Sequence, residues 1–379
     1  MANFRIDLNT RILGADTKVY LARAGRKGHL FQQVLNSRAI GPDLPNLGLT
    51  GALLDDPDLQ AKIIRSRAIS KWLRTSANAR GAEPSRNLVH YQDAAKGPGY
   101  AQVEGVVRTY FQGMNAGDML VIPNPSPFGD AIIAEALPVG DLPARIPGTE
   151  RFVGYQFDGR RFGHSKLVKM TDLPRAVLQL AQVPTGLAEI VNPRVKHRVF
   201  ELGYDDYVFD DEFASRIITT KEDFRPFDGN VLNALVTMIA ENIDRLQHRE
   251  AGARLVGLEQ AAFIRIDEDD LQVKININSP GYISVIARTI TPLVTAVVLG
   301  VLVAIGFDAQ AVTPDVIVDV SNSQVSDVLD LCSREVGQLT QSMLRFLSAE
   351  AEFQRTCDLL REAHDHTGAR ANVLVEVGP

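Results

Sequence analysis

Nineteen consecutive residues without a charge, Thr289 to Phe307 (TITPLVTAVVLGVLVAIGF), constrain this chain more than any other feature. Arg288 and Asp308 bound the run sharply. A helix crosses a bilayer with about 17–25 apolar residues, so the length alone admits a membrane span. Ala296, Gly300 and Ala304 recur every four residues, the small-residue spacing that lets helix backbones approach closely in lipid. Three features favour instead a helix buried in a folded domain: no second apolar segment, no flanking basic cluster, and β-branched residues throughout. The two readings separate a binding protein from a membrane-acting effector.

The 379 residues suggest two or three domains, and 45% hydrophobic with 23% charged residues provide for ordinary cores. Cys332 and Cys357, outside any CxxC pair, rule against a disulfide framework and against structural zinc held by cysteine. The start, MANFRIDLNTRIL, lacks a basic segment leading into an apolar one, which predicts no secretory signal and a cytoplasmic location. Association with a membrane on activation is the alternative. The net charge of −6 hides an asymmetry. Residues 1–200 hold 26 Lys and Arg against 17 Asp and Glu (+9), and residues 201–379 hold 14 against 29 (−15). A basic front half joined to an acidic back half points to a phosphate-facing module fused to a part that meets something else.

Short apolar alternations broken by Gly, Pro and Asn run through the first half. Lys18 to Arg23 reads as a strand, Gly25-Arg-Lys-Gly28 as a turn and His29 to Asn36 as a short helix. Asp58 to Ser76 carries helical spacing, and the polar stretch 77–100 reads as an exposed loop. Val103 to Met114 reads as a helix. Met119–Ile122 and Ala131–Glu135 read as a hairpin's strands, with Pro123-Asn-Pro-Ser-Pro127 ending the first. After Pro193 the pattern turns helical. Asp228 is a candidate N-cap for a helix of about 20 residues, and Phe263 to Ile277 reads as a hairpin through the turn Asp267–Asp270. Leu329, Cys332, Val336, Leu339, Met343 and Phe346 space as a heptad that Phe353, Cys357 and Leu360 continue, the seam of a coiled coil or of an intramolecular bundle. The fold class expected is α+β: a small mixed β-barrel over 1–200, then a mainly helical domain over 201–379 with a β-hairpin and a long C-terminal helix.

Val107 to Glu135 carries an ordered set of features: VRTYFQGMNAGDMLVIP, an interruption, then GDAIIAEAL. Upstream stand Tyr20-Leu-Ala-Arg-Ala-Gly25, Gly28, Phe31 and Ala39-Ile-Gly41, and downstream Phe162 to Pro174 (FGHSKLVKMTDLP). In this order the segments resemble the N-terminal, non-catalytic domain of Mrr-like restriction systems, a relative of the EVE/PUA class of small β-barrels, over about residues 17–190. The resemblance implies a bacterial defence setting and binding of nucleic acid, a modified or flipped base included, in a pocket on the barrel. The chain departs from the family at the insertion 77–100 and at Ala134-Glu135, where Gly-Glu is typical.

Reading a base outside a stack needs a planar surface, edge hydrogen bonds and cations for the flanking phosphates. The candidate ligand-binding cations are Arg26, Lys27, Arg108, Arg160, Arg161 and Lys166, with Lys169 beside them. The candidate stacking rings are Tyr110 and Tyr155, with Phe111 and Trp72. Magnesium-dependent nucleases of the restriction type need an Asp and then a Glu or Gln two residues before a Lys. Gln272 and Lys274 match the second part and Asp267 the first, although the acids sit in the tight turn itself. That makes a divergent nuclease the weak catalytic alternative. No phosphate loop, dinucleotide fingerprint or nucleophile elbow is present. The pair His364 and His366 faces different sides of a helix. No cofactor and no metal is therefore expected. The sequence predicts a sensor of nucleic acid or nucleotide, without catalysis of its own, whose back half forms homo-oligomers and acts on a partner or, through 289–307, on a membrane. A structural assembly protein is a third reading.

Overall fold

The structure is a computed structural model that describes residues 3–50, 56–140, 142–220, 225–248, 255–261, 263, 271–276, 281–307, 316–324, 333–349 and 353–378. The chain is α+β with a curled half-barrel sheet. It separates into two compact units, Asp16–Gly203 and a second made of Met1–Ala15 with Tyr204–Pro379. The first fifteen residues thus leave the front half in which a boundary at 200 had placed them. The reason is strand pairing: Asn3–Asp7 runs parallel to Ile317–Ser321 and antiparallel to Leu374–Gly378, while Arg11–Leu13 pairs with Tyr207–Phe209.

In the front unit the sheet runs Ala39–Ile40, Gln156–Lys169, Asp130–Ala136, Met119–Ile122, Val19–Ala22, Leu187–Glu189. The long strand Gln156–Lys169 serves two partners. Its first half pairs with Ala144–Pro147 and Ala39–Ile40, and its second half with Asp130–Ala136, where the register shifts between Ala134 and Ala136. Such a shift bends a strand and tightens its twist. Among the described strands of this unit only Val19–Ala22 and Met119–Ile122 run parallel. A parallel pair needs a long crossover, and here it contains the helices Phe31–Ser37, Leu59–Arg74 and Tyr100–Arg108. Every residue of Met119–Ile122 and of Ala131–Ala136 is buried, as for strands covered on both faces. The expected hairpin is present, joining Met119–Ile122 to Asp130–Ala136.

The back unit contains more strand than expected. One sheet runs Leu271–Asn276, Gly281–Ala287, Glu212–Thr219, Tyr207–Phe209, Arg11–Leu13, and Arg370–Ala371 also pairs with Glu212–Thr219. Leu271–Asn276 pairs with Gly281–Ala287; of the expected first strand Phe263 is an exposed turn residue, and 264–270 lie outside the described residues. Asp228 lies inside the helix Pro226–His248, and its Oδ2 accepts from the Arg225 N–H at 2.9 Å, a reach back across the first turn.

The apolar run forms the helix Thr291–Ala304, with eleven of its 14 residues buried. At about 1.5 Å per residue it spans about 21 Å, short of the roughly 30 Å hydrocarbon layer. No described helix is long and apolar enough to cross a membrane. Leu293, Val294, Val297, Val298 and Leu302 enter one core with Val285, Ile239 and Val336, and burying each such side chain is worth about 1.5–3 kcal/mol. This tertiary burial overrides the modest helix propensity of Val. Gly306, at φ +67°, ends the helix, and the Phe307 N–H reaches back to the Leu302 carbonyl at 2.7 Å.

The heptad resolves into the helices Ser333–Ala349 and Phe353–Thr367; Leu329 and Cys332 lie outside the described residues. The buried positions on the first are Ser333, Val336, Gly337, Thr340, Met343, Leu344 and Leu347, a 3.6-residue stripe, while Leu339 and Phe346 fall at its margin. Cys357, Leu360 and Ala363 join the same core. The stripe packs inside its own unit, the bundle alternative.

Candidate ligand pocket and basic cleft of the front unit

The strand Val19–Ala22 runs into a loop whose backbone dictates its composition. Gly25, Lys27 and Gly28 have φ of +74°, +59° and +69°. Glycine accepts this region freely, whereas Lys27 is held there at a cost, a pattern found where a loop is fixed for a purpose. The Gly28 N–H donates to the Gly25 carbonyl at 3.0 Å and the Leu30 N–H to the Ala24 carbonyl at 3.0 Å. Arg23 anchors the loop from below: its guanidinium donates to the carbonyls of Ala181 and Val183. Burial lowers the Arg23 pKa from its ordinary value, yet a guanidinium remains charged at any physiological pH.

Facing this loop is Pro123–Gly129, which follows the strand Met119–Ile122. Asn124 organises it: its Oδ1 accepts from the Ser126 N–H at 2.9 Å and its Nδ2 donates to the Asp130 carbonyl at 3.0 Å. The Met170 N–H, donating to the Gly129 carbonyl at 3.0 Å, ties the far wall to it. Between these walls lies a concavity of about 710 Å³ lined by Arg23, Lys27, Asn124, Phe128, Met170 and Gln182 among others. The Phe128 ring stands at its rim, 93% exposed. Apolar walls, a few convergent polar groups and a free ring are what a small planar ligand requires.

Arg26, next in sequence to Lys27, lines a second concavity of about 460 Å³ with Arg67, Lys71 and Arg74 of the helix Leu59–Arg74, around Asp43. Burial works to raise the Asp43 pKa. Hydrogen bonds from His29 Nε2 at 3.2 Å and the Arg26 N–H at 2.7 Å, with the charge of Arg74, outweigh it and hold the carboxylate below its ordinary value.

Of the eight predicted ligand residues, Arg26 and Lys27 border these concavities. The others serve elsewhere. Tyr110 is fully buried, its phenol pushed far up by burial, so it presents no face for stacking. Phe111 is buried beside it. Tyr155 is buried, and its hydroxyl donates to Glu83 at 3.0 Å beneath Arg86. Arg160 is 3% exposed and donates to the carbonyls of Leu137 at 2.8 Å, Tyr110 at 3.2 Å and Met114, so it fastens backbone instead of meeting phosphate. Arg108 pairs with Glu104 one turn back at 2.8 Å. Arg161 is exposed and Lys166 half-buried on the long strand, and neither lines the two concavities. Trp72 donates to the Gly81 carbonyl at 2.9 Å under Arg80.

Asp267 lies outside the described residues, and Gln272 and Lys274 are exposed on Leu271–Asn276. Among the described residues no three His, Cys, Asp or Glu gather as a metal site requires. The residues the sequence reading passed over are Phe128, Asn124, Arg67, Lys71 and Arg74. An apolar residue between Pro127 and Gly129 was the available signal for Phe128. Comparison of the chain with protein-family models, with curated proteins and with solved structures finds no match.

Proposed function

We propose that the front unit is a PUA/EVE-like module that binds nucleic acid or a nucleotide, its base in the concavity between Gly25–Gly28 and Pro123–Gly129. The observation that carries this reading is the pairing of an exposed aromatic ring, Phe128, with the cation Lys27 around one concavity. Bases stack on such rings whatever their sequence, and neighbouring cations neutralise phosphate. The order of motifs shared with Mrr-like restriction proteins supports a bacterial defence role. The acidic back unit then carries the output, which we assign to contact with further copies or a partner protein, because its apolar helix is spent in its own core.

Fluorescence anisotropy of labelled single-stranded DNA, single-stranded RNA and a nucleotide with the full chain, across salt, tests this. Binding should weaken steeply with ionic strength, and Lys27→Gln should reduce it. Absent or salt-independent binding of all three probes overturns the reading.

A further inference from the structure

We infer that the cleft lined by Arg26, Arg67, Lys71 and Arg74 is a phosphoryl-anion site, serving the phosphates of the ligand whose base the neighbouring concavity receives. The inference rests on the proposed function for the ligand's identity, but the cleft's own chemistry stands apart from it.

The helix Leu59–Arg74 carries five cations, and their partners distinguish them. Lys62 is paired with Asp56 at 2.7 Å. Arg65 donates to the carbonyls of Asn46 at 2.9 Å and Arg86 at 3.2 Å. Both are spent on structure. Arg67 donates to the Pro98 carbonyl at 2.7 Å and Arg74 to Asp43, so each guanidinium is fixed in place while lining the cleft. Among the described residues nothing holds the Lys71 ammonium or the Arg26 guanidinium. Four positive charges against the one carboxylate of Asp43 leave the cleft at +3. A carboxylate ligand would leave most of that unmatched, whereas a phosphate or pyrophosphate carries the charge and the acceptors to meet it.

Neither the helix dipole nor the needs of Asp43 would by themselves gather these four cations. Lys71 and Arg74 occupy the helix's last turn, where cations offset the macrodipole. That says nothing of Arg26, delivered from a distant loop, nor of Arg67, a turn earlier. Asp43 is already satisfied by His29, Arg74 and the Arg26 N–H, and so has no need of further cations. Its function here is to orient: it holds Arg74 at the back of the cleft and fixes the backbone from which the Arg26 side chain extends. Because Arg26 and Lys27 are consecutive, one loop sends one cation to each concavity. A ligand with a base on one side and phosphates on the other would bridge them.

The test is isothermal titration of the full chain and its Arg26→Gln/Lys71→Gln variant with inorganic pyrophosphate, and anisotropy with a single-stranded oligonucleotide with and without a 5′-phosphate. Both side chains are exposed or unpartnered, so melting temperature should not change. We expect pyrophosphate to bind the native chain and the variant to bind it at least about tenfold more weakly. The salt slope for the oligonucleotide should fall by about 1.4, at about 0.7 per lost contact on a single strand. A loss confined to the 5′-phosphorylated probe identifies the occupant as a terminal phosphate, and an equal loss on both probes as a backbone phosphate. Pyrophosphate that fails to bind, or binds the variant as well, overturns the cleft assignment even if the oligonucleotide still binds. Pyrophosphate binding with no binding of oligonucleotide or nucleotide overturns the proposed function and leaves the cleft as an anion site.

Discussion

Gly28 sits so close to Pro125 that a β-carbon added to it would lie 2.8 Å from the proline Cβ. The contact joins the two loops that wall the larger concavity. Gly28→Ala suffers twice, from the clash and from a φ of +69°. It should cost about 1–3 kcal/mol by urea unfolding and weaken oligonucleotide binding. Gly81→Ala, where nothing lies within 4 Å, is the control and should be near neutral. Equal stability of the two variants would show the loops to be uncoupled.

Phe128 contributes nothing visible to the core, being 93% exposed. Phe128→Ala should therefore leave the melting temperature unchanged. If a base stacks on the ring, affinity for single-stranded probes should drop by about 1–3 kcal/mol. Unchanged affinity, measured by anisotropy, would remove the ring from the binding site.

Arg160 and Arg161 are neighbours with opposite fates. Arg160→Gln strands buried carbonyls of Leu137, Tyr110 and Met114, and should lower stability by about 3 kcal/mol or more. Arg161→Gln, on the exposed face, should stay within about 0.5 kcal/mol of the native chain. Denaturant curves of the two variants decide. A mild Arg160 variant would mean its hydrogen bonds are replaceable by water.

This pair shows why the fold was more legible than the site. Periodicity gave the strand Met119–Ile122, its partner Asp130–Ala136 and the helix Leu59–Arg74 nearly to the residue, because burial on one face leaves a trace in the local pattern. Gly25 and Gly28 declared a turn for the same local reason. Nothing local tells a cation on an outer face from one that fastens carbonyls inside, since strand residues alternate faces but a bend or bulge resets which face is inner. Arg160 lies in a strand that changes partners along its length, and charge alone put it on the surface. The place of Asn3–Asp7 between two strands from the other end of the chain was hidden likewise, as long-range pairing leaves no short-range signature.

Asp206 is a buried carboxyl of the back unit that accepts a hydrogen bond from the Ser215 hydroxyl. Burial, with the charge of Asp205 adding to it, pushes its pKa from 3.8 up to about 7, against the pull of Ser215. In the unfolded chain it ionises near 3.8, so between that pH and about 7 the native state holds the extra proton. Its contribution to stability is fully present below the lower value and is lost as pH rises through the upper one, at up to about 1.4 kcal/mol per pH unit. Asp206→Asn should remove this component, so its stability difference from the native chain should move in the variant's favour between pH 4.5 and 7.5. A difference independent of pH in urea titrations would show that the carboxyl ionises normally.

Gly300 gives the sharpest test of where the apolar helix belongs. In a lipid setting its lack of a side chain would admit another membrane helix. Here it admits the segment near the C-terminus of the same unit: a β-carbon at Gly300 would collide with Val373 Cγ2 and lie 3.2 Å from Val375 Cγ2. Gly300→Ala gains helix propensity worth about 1 kcal/mol, yet the clash should make it net destabilising by about 1–3 kcal/mol. Trimming the obstacle should reverse this. Val373→Ala alone opens space and costs stability, while in the Gly300→Ala background it should cost less, a coupling of about 0.5–3 kcal/mol in a double-mutant cycle. Strict additivity of the two changes would mean that Val373 does not pack on the helix, and that Gly300 is kept small for some other neighbour.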